Sequence, residues 1–498
     1  MRQSLKSGFA QRLIASAALL CFFCVHATGG AAAVNLPNIG ETAEAYLSTE
    51  DEQNYGEAFM RSIRRSLDLV SDPEVQNYIE SLGNRLVANA AIRDRRFSFF
   101  VIKDPEINAF AGPGGYVGVN TGLILTTHTE AELASVMAHE IGHVTQRHIA
   151  RAFEAASRMS VPLTAALIAG LILGTHGSGQ AGEAAIAATM AGSAQQQINF
   201  TFSNEEEADR VGLGILAASG YETRAMPRFF EHLQQATLFD DNLQLEFLRT
   251  HPVTAARISD TRNRAEQYPQ MKEAIGENYA LIRQKVRLIQ DADPRKSLEF
   301  FEASLRDAGD QDRDALRYGY ALSLNAMGRY ADARAQLQPL ITRDPERVPY
   351  QLALADADIG EGRLKQALAI YEKNLAIYPY NLPLTVQYAT ALLQDKQAEK
   401  TATLLGDYTA ARPPRPELYQ LLGQARDMSG DRVAAHQAYA EMYYMLGETR
   451  SAIEQLKIAV KDVPDKDVRS ARIRERIRTL EAEWKAKAKF NGESARLG

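Results

Sequence analysis

A 34-residue period in the second half of the chain restricts the fold more than any other feature of the sequence. Three pairs of residues recur at this spacing: Gly328 and Gly362, Ala333 and Ala367, and Pro345 and Pro379. A glycine suits the turn between two helices, an alanine lets two helices cross closely, and a proline ends the second helix. The period therefore predicts stacked helix pairs, each of which buries its apolar face against the next.

These repeats resemble tetratricopeptide (TPR) repeats, and we expect an all-α TPR solenoid over residues 295–490, with two clear repeats and two or three degenerate ones. A helical linker over residues 263–294 precedes it. TPR solenoids are binding surfaces. Five arginines lie between residues 469 and 478, which favours a solvated helix that caps the solenoid over a contact with an anionic surface. They are Arg469, Arg472, Arg474, Arg476 and Arg478.

The first 33 residues have the layout of a secretory signal peptide. Arg2, Lys6 and Arg12 precede a short apolar run and a series of small residues, with cleavage after Ala27 or after Ala33. The alternative is an uncleaved membrane anchor. Both cysteines lie in this segment, so the mature chain has none, and we expect a periplasmic protein.

The composition excludes several classes of protein. The chain has 498 residues, of which 45% are hydrophobic and 24% are charged, so it is long enough for two or three domains. Removing the three basic residues of the leader changes the net charge from −6 to −6 − 3 = −9. An acidic chain of this kind is not a dedicated nucleic-acid binder, and we expect no nucleic-acid partner.

Residues 34–262 mix short strands with helices and predict an α+β domain, so that the whole chain is mainly α with a small β-sheet. Residues 98–102 and 116–120 read as strands. We interpret the second as an edge strand that could hold an extended peptide, with an interior strand as the alternative. Thr129 and Glu132 form a capping box that begins a helix running to about Ala156.

The sequence His139-Glu140-Ile141-Gly142-His143 on this helix is an H-E-x-x-H motif. Residues four apart share one helix face, so both imidazoles can reach the same metal ion. Zinc with three protein ligands lowers the pKa of a bound water to about 7, and a neighbouring carboxylate such as Glu140 can then take the proton. The motif predicts a zinc peptidase with one ion per chain.

A third ligand is expected from the acidic run Glu205-Glu206-Glu207-Ala208-Asp209. From the residues alone, Glu206 or Glu207 is nearly as good a candidate as Glu205. The two motifs together resemble the gluzincin metallopeptidases of the HtpX and CAAX-prenyl-protease kind. That resemblance implies that Glu205 is the third zinc ligand. It also implies that Asp209 supports a ligand histidine or donates a proton.

The combination of leader, peptidase core and TPR array resembles the periplasmic BepA-type proteins, which are linked to outer-membrane protein assembly and quality control. Residues 107–111, 142–148 and 247–252 also match. The resemblance implies that His251, on a loop, can occupy the fourth position on zinc and so block the catalytic water. It implies that Arg257 polarises the substrate carbonyl or holds the site together. Without the resemblance, His251 reads as a turn histidine before a proline.

The remaining histidines receive no ligand role from their spacing. His148 lies about 140° from the metal face of an unbroken helix and reads as a packing or surface residue. The others that follow the predicted leader are His128, His176, His232 and His436. Between the two metal motifs, an apolar run over 161–173 and a glycine-rich break predict a helix pair over the site. The alternative is a mobile lid or a surface in peripheral contact with a membrane.

The sequence therefore predicts a zinc endopeptidase that cleaves misfolded or stalled outer-membrane proteins, while the TPR array docks these substrates or their assembly machinery. The alternative is a chaperone or assembly adaptor in which proteolysis is secondary. The intact Glu140 favours catalysis, because an adaptor needs no general base.

Overall fold

The computed structural model describes residues 47–90, 92, 95–158, 194–239, 246–271, 277–307, 309–413 and 415–490. The predicted signal peptide and the apolar run over 161–173 lie outside these residues. The described residues belong to one compact unit. Among the described helices, none combines the length and the apolar character that crossing a membrane requires.

A small sheet backs the helix that carries the H-E-x-x-H motif. In the described residues it consists of β1 (Ser98–Ile102), β2 (Ala109–Ala111) and β3 (Tyr116–Asn120), in the order β1-β3-β2. β1 is parallel to β3, with Ser98 opposite Tyr116, and β2 is antiparallel to β3, with Ala109 opposite Val119. Both strands predicted from the sequence are therefore confirmed.

The prediction that residues 116–120 form an edge strand was wrong, because β3 is the central strand. Val117, Gly118, Val119 and Asn120 are all buried, as expected of a strand with a neighbour on each side. Gly118 makes room for the rings of Phe100 and Phe110, one from each neighbouring strand. A Cβ at Gly118 would lie within 3 Å of both rings.

Helices surround this sheet, and residues from several of them share one hydrophobic core with β1 and β3. The helices described up to residue 290 are α1 (Thr49–Ser66), α2 (Pro73–Ala88), α3 (Thr121–Thr126), α4 (Glu130–Thr145), α5 (His148–Arg158), α6 (Ala194–Ala218), α7 (Ala225–Phe239), α8 (Glu246–Thr250), α9 (Ala255–Ala265) and α10 (Glu277–Gln290).

The helix predicted from Thr129 to about Ala156 is broken after Thr145, so that its extent was predicted wrongly. Arg147 has a left-handed backbone with φ 54°, and α5 begins at the next residue. Such a conformation is costly for a residue with a side chain, so tertiary contacts must hold it. The Arg147 guanidinium donates to the Leu47 carbonyl oxygen at 2.7 Å and lies 3.7 Å from the Glu52 carboxylate.

The second half of the chain is a series of helix pairs, as the TPR pattern predicts. Its helices are α11 (Pro294–Asp307), α12 (Asp310–Ala326), α13 (Tyr330–Arg343), α14 (Val348–Gly360), α15 (Leu364–Ile377), α16 (Leu382–Gln394), α17 (Ala398–Ala411), α18 (Pro416–Met428), α19 (Arg432–Met445), α20 (Thr449–Lys461) and α21 (Val468–Phe490). α13, α15, α17 and α19 begin 34 residues apart.

The turn before each of these four helices contains a residue with a left-handed backbone conformation, at the same position of the 34-residue repeat. Gly328, Gly362 and Gly430 have φ of 73°, 77° and 85°, and Lys396 occupies the equivalent position with φ 60°. The repeat therefore preserves the backbone conformation even where the glycine is replaced. This explains why the third repeat is hard to see in the sequence.

α10 lies within the predicted linker, yet it supplies buried side chains to both halves of the chain. Tyr279, Ile282 and Val286 belong to the core of the sheet domain, and Leu281 belongs to the core of the first repeats. α2 also contacts the repeat array, because Glu80 forms an ion pair with Arg415. The repeats and the sheet domain are therefore joined by packing as well as by the chain.

Candidate active site

α4 carries the H-E-x-x-H motif and is fixed at its N-terminus by the predicted cap. The Thr129 hydroxyl accepts a hydrogen bond from the Glu132 backbone N–H at 3.3 Å. His139 and Glu140 are each 1% exposed. The Nε2 atoms of His139 and His143 lie 3.0 Å apart. The two imidazoles therefore point at one place, as the i, i+4 spacing predicts.

α6 crosses α4 so closely that a glycine on each helix faces the backbone of the other helix. A Cβ at Gly142 would lie 2.9 Å from the Ala208 carbonyl oxygen, and a Cβ at Gly212 would lie 3.0 Å from the backbone nitrogen of His139. Real Cβ atoms essentially never come as near as the first distance, and the second is tighter than nine in ten real Cβ contacts. The two helices can therefore reach this separation only because both positions lack side chains.

The crossing places the Glu205 carboxylate between the two imidazoles. Its Oε2 lies 3.3 Å from His139 Nε2, and its Oε1 lies 3.2 Å from His143 Nε2. Glu206 is exposed to solvent, and Glu207 points toward α5. Of the three carboxylates that the sequence offered, the structure brings only Glu205 to both motif histidines.

His251 completes the group from the turn after α8. Its Nδ1 lies 3.0 Å from Glu205 Oε2 and 3.3 Å from His139 Nε2, and its Nε2 lies 3.4 Å from Glu140 Oε1. The His251 backbone N–H donates to the Phe247 carbonyl oxygen at 2.7 Å, and the two rings lie 4.9 Å apart. His251 is only 7% exposed, so this turn presents its imidazole to the motif helix.

The donor set fits a divalent metal ion. His139, His143, Glu205 and His251 each offer one ligand atom, and these atoms all lie within 4.8 Å of one another. Imidazole nitrogens and a carboxylate are ligands that zinc and related ions accept. The buried Glu140 Oε1 makes no hydrogen bond to the described residues, so this carboxylate oxygen is available for a further group at the site.

Asp209 and Arg257 form the layer behind these ligands. Asp209 Oδ1 lies 2.9 Å from His139 Nδ1, on the ring nitrogen that faces away from the other ligands. The Arg257 side chain donates from Nε and Nη2 to the two oxygens of Asp209, each at 2.8 Å. Arg257 Nη1 also lies 3.0 Å from Glu205 Oε2. The guanidinium of Arg257 therefore contacts both Glu205 and Asp209, the residue next to His139.

Burial and neighbouring charges set the protonation of this group. Burial raises the pKa of Glu205, but the imidazoles of His251, His143 and His139 overcome it and hold the pKa well below its usual range. Burial lowers the pKa of His139, but Glu205 and Asp209 raise it to about 10. The pKa of Asp209 is lowered, because hydrogen bonds from His139 and Arg257 outweigh its burial. The two carboxylates are thus held ionised, and their field favours a cation among the imidazoles.

His148 lies next to this group, as a buried residue that is not one of the four candidate ligands. It is buried, and its Nδ1 lies 2.9 Å from His143 Nδ1. Its Nε2 lies 3.3 Å from Glu207, which also accepts a hydrogen bond from Arg151 at 2.7 Å. Burial lowers the pKa of His148 to about 2. The predicted angle of 140° assumed an unbroken helix, but the helix is broken at Arg147, and no residue pattern signals that break.

Comparisons with known proteins agree with this arrangement. Residues 73–265 match peptidase family M48, and residues 358–425 match a tetratricopeptide repeat family. The chain is 37% identical over 390 residues to the beta-barrel assembly-enhancing proteases of Yersinia pestis and Escherichia coli, with 78% of this chain and 80% of each relative covered. It is 27% identical over 202 residues to the metalloprotease LoiP of Escherichia coli, which covers 39% of this chain and 72% of LoiP.

A helix with paired histidines, a crossing helix with a carboxylate and a family M48 match define a metalloendopeptidase, here followed by TPR repeats. The chain belongs to the beta-barrel assembly-enhancing proteases of peptidase family M48. The predicted enzyme class and the predicted TPR array are both confirmed.

Proposed function

We propose that this metalloendopeptidase uses one zinc ion, held by His139, His143 and Glu205, and that Glu140 acts as its general base. The convergence of the imidazoles of His139 and His143 with Glu205, within 3.3 Å of one another, carries the proposal. Two histidines and one carboxylate are a ligand set that catalytic zinc sites use, with a further position left for water or substrate. When bound, zinc supplies Lewis-acid polarisation and a water of lowered pKa.

Glu140 has the position that a general base needs. It follows His139 directly, is 1% exposed, and has an oxygen that makes no hydrogen bond to the described residues. Its carboxylate takes the proton of the attacking water and passes it to the leaving amine. Asp209 fixes the ring of His139 through Nδ1, and Arg257 fixes Asp209. Both are therefore positioning residues in this proposal.

His251 gates the site in this proposal. Its imidazole lies against Glu140, Glu205 and His139, in the place where water or a substrate carbonyl has to come. Cleavage then requires the turn after α8 to move. This turn is tied to the sheet domain by the backbone hydrogen bond from Phe247 to the Ile107 carbonyl oxygen at 3.2 Å. Because residue 107 lies just before β2, a peptide pairing with β2 could disturb that bond and displace His251.

The substrates are misfolded or stalled outer-membrane proteins in the periplasm, and the TPR array docks them or the machinery that assembles them. The names of the relatives support this, as does the leader of basic, apolar and small residues at the start of the chain. The edge strand β2 is the candidate for holding an extended peptide, since β3 has a partner on both sides.

The second candidate is an assembly adaptor in which proteolysis is secondary. The observation in its favour is the extent of the helix-pair array, which runs from α12 to α21 and is itself a binding surface. The two functions can coexist in one chain, because the array and the metal-binding side chains lie on different elements.

The test is casein cleavage by the mature chain and by Glu140→Gln and His251→Ala, each with and without a zinc chelator. We expect wild-type cleavage that His251→Ala increases, and that the chelator and Glu140→Gln abolish. His436→Ala is the control for losing an imidazole, since His436 bonds to Gln455 within the repeats. If all variants bind zinc but none cleaves, the peptidase is refuted and the adaptor is favoured. If the wild type cleaves but His251→Ala only reduces cleavage, the gate is refuted and the peptidase stands.

A further inference from the structure

A second group of metal-ligand side chains lies at the other end of α4. His128 precedes the helix, Glu132 is in its first turn, and His232 comes from α7. We propose that these three residues bind a second divalent ion of the zinc type, which links α7 to the start of the active-site helix. The proposal does not depend on how the peptidase site works.

The distances among the three side chains suit one ion. Their ligand atoms all lie within 4.8 Å of one another. His232 Nδ1 lies 3.5 Å from Glu132 Oε1, and the two imidazole rings lie 4.7 Å apart at an angle of 53°. Zinc bonds of about 2.0–2.1 Å in a tetrahedral site place ligand atoms about 3.3 Å apart, so these atoms have to approach one another by at most about 1.5 Å.

The His232 ring is not satisfied by its surroundings. Its Nδ1 atom is buried and makes no hydrogen bond to the described residues, although a carboxylate oxygen lies nearby. A buried nitrogen without a partner is costly, and such groups in native proteins usually have a water or an ion as their partner. A metal ion between the ring and Glu132 would satisfy this atom.

One carboxylate oxygen of Glu132 has a role in capping α4, and the other oxygen has no such role. Glu132 Oε2 accepts a hydrogen bond from the His128 backbone N–H at 2.7 Å, which is a helix-capping contact. Glu132 Oε1 instead faces His232. The side chain is 2% exposed, and burying a carboxylate requires compensation beyond one backbone hydrogen bond. Two imidazoles and one carboxylate select zinc-type ions over calcium or magnesium, which prefer oxygen ligands.

The proposed site is separate from the peptidase site but mechanically connected to it. Glu132 is seven residues before His139, about 10 Å along the helix axis. α7 also carries Phe230, whose ring lies 5.1 Å from the guanidinium carbon of Arg257. An ion on His232 would therefore hold the helix that supports Arg257 against the helix that carries the motif histidines. We assign it a structural role, with water completing its coordination on the exposed side of His128.

The test counts zinc ions in the mature full-length chain. Each variant is saturated with Zn²⁺, passed through a metal-free desalting column and analysed for metal and protein. We expect two zinc ions per wild-type chain, one in His128→Ala, one in His232→Ala, one in His143→Ala and none in His128→Ala/His143→Ala. His436→Ala, which removes an imidazole elsewhere, should keep two.

One outcome would overturn the proposal even if the proposed peptidase site is right. The wild type would hold one zinc, and His128→Ala and His232→Ala would hold the same amount as the wild type. Because His128 is exposed, its replacement leaves the fold intact, and circular dichroism of each variant verifies this. A failure of the peptidase site appears separately, as an unchanged zinc count in His143→Ala.

Discussion

The Arg257 guanidinium donates two parallel hydrogen bonds of 2.8 Å to the Asp209 carboxylate, and both side chains are at least 98% buried. Such a bidentate pair sets the orientation of the carboxylate as well as its charge. Because Asp209 Oδ1 lies 2.9 Å from His139 Nδ1, the guanidinium on α9 is connected through Asp209 to the first motif histidine. The network connects three helices that are far apart in the sequence.

We predict that Arg257→Lys weakens zinc binding about 10- to 100-fold and lowers kcat/KM by a similar factor. Lysine keeps the charge but has no planar fork, so Asp209 and Glu205 lose the donor geometry that holds them in place. A competition titration with a chromophoric zinc chelator measures the affinity directly.

The matched control for this prediction is Arg262→Lys, on the same helix. Arg262 pairs with Glu231, and its side chain is 55% exposed. Exposed pairs contribute about 0–1 kcal/mol, so zinc affinity should not change. Equal zinc affinities in the wild type and in Arg257→Lys would show that the Arg257 fork does not orient the site.

Gly142→Ala should lower both stability and activity, because the added Cβ would meet backbone atoms of Ala208 on α6. Backbone atoms cannot rotate away as a side chain can, so α4 and α6 must separate and Glu205 moves away from the imidazoles. Overpacking of this kind costs about 1–3 kcal/mol. Thermal unfolding and casein cleavage measure the two effects.

Gly406→Ala is the control for Gly142→Ala. Gly406 lies inside α17, and a Cβ there would have no heavy atom within 4 Å. Alanine is favoured over glycine in a helix by up to about 1 kcal/mol, so this variant should be more stable and fully active. If the two alanine variants behave alike, close packing of α4 and α6 is not what positions Glu205.

Short-range patterns predicted those parts of the fold that depend on local spacing. The H-E-x-x-H motif, the Thr129 cap and the 34-residue phase each depend on residues close together in the sequence. The choice of Glu205 over Glu206 and Glu207 needed the family resemblance, because all three lie on the same acidic run. In the structure it is the crossing at Gly142 that distinguishes Glu205.

What the sequence did not reveal depends on contacts between distant segments. The break at Arg147 is stabilised by Leu47 and Glu52, about a hundred residues earlier, and it brings His148 to His143. The central place of β3 depends on which strand β2 joins. His128 and His232 are 104 residues apart in the sequence, so their spacing carries no signal of a shared site.

Lys396→Gly should stabilise the repeat array. The Lys396 backbone N–H donates to the Leu393 carbonyl oxygen, and the Gln397 backbone N–H donates to the Leu392 carbonyl oxygen. This is the hydrogen-bond pattern of a Schellman motif at a helix C-terminus. The left-handed residue in this motif is usually glycine, because a side chain there costs about 1 kcal/mol. We expect a gain of about 0.5–1 kcal/mol in the free energy of unfolding, measured by urea denaturation.

Lys365→Gly is the opposite control for Lys396→Gly. Lys365 lies in the first turn of α15, where the backbone is helical, so glycine should destabilise the array by up to about 1 kcal/mol. If the free energy of unfolding changes in the same direction in both variants, the loss of a lysine charge causes the change, and the backbone conformation does not.

Glu74 makes the stability of the contact between α2 and α10 depend on pH. Lys285 contacts both Glu74 and Asp72, so two carboxylates share one ammonium group. Burial raises the pKa of Glu74 from 4.5 to about 7, although Lys285 opposes it. The folded protein therefore binds this proton more tightly than the unfolded chain. The resulting stability is fully present below about pH 4.5 and is lost as the pH rises through about 7.

Glu74→Gln should remove this dependence, because the amide resembles the protonated carboxyl at every pH. Between pH 5 and pH 8 the wild type should lose on the order of 2–3 kcal/mol relative to the variant, since a shift of one pKa unit corresponds to about 1.4 kcal/mol. Urea denaturation at both pH values measures the difference. Glu302→Gln, at a largely exposed pair with Arg306, controls for the change of a carboxylate to an amide and should follow the wild type. The contrary outcome is a difference in the free energy of unfolding between the wild type and Glu74→Gln that is the same at both pH values, or that favours the wild type more at pH 8. Glu74 would then be ionised throughout this range in the folded protein, with the Lys285 ammonium compensating for its burial.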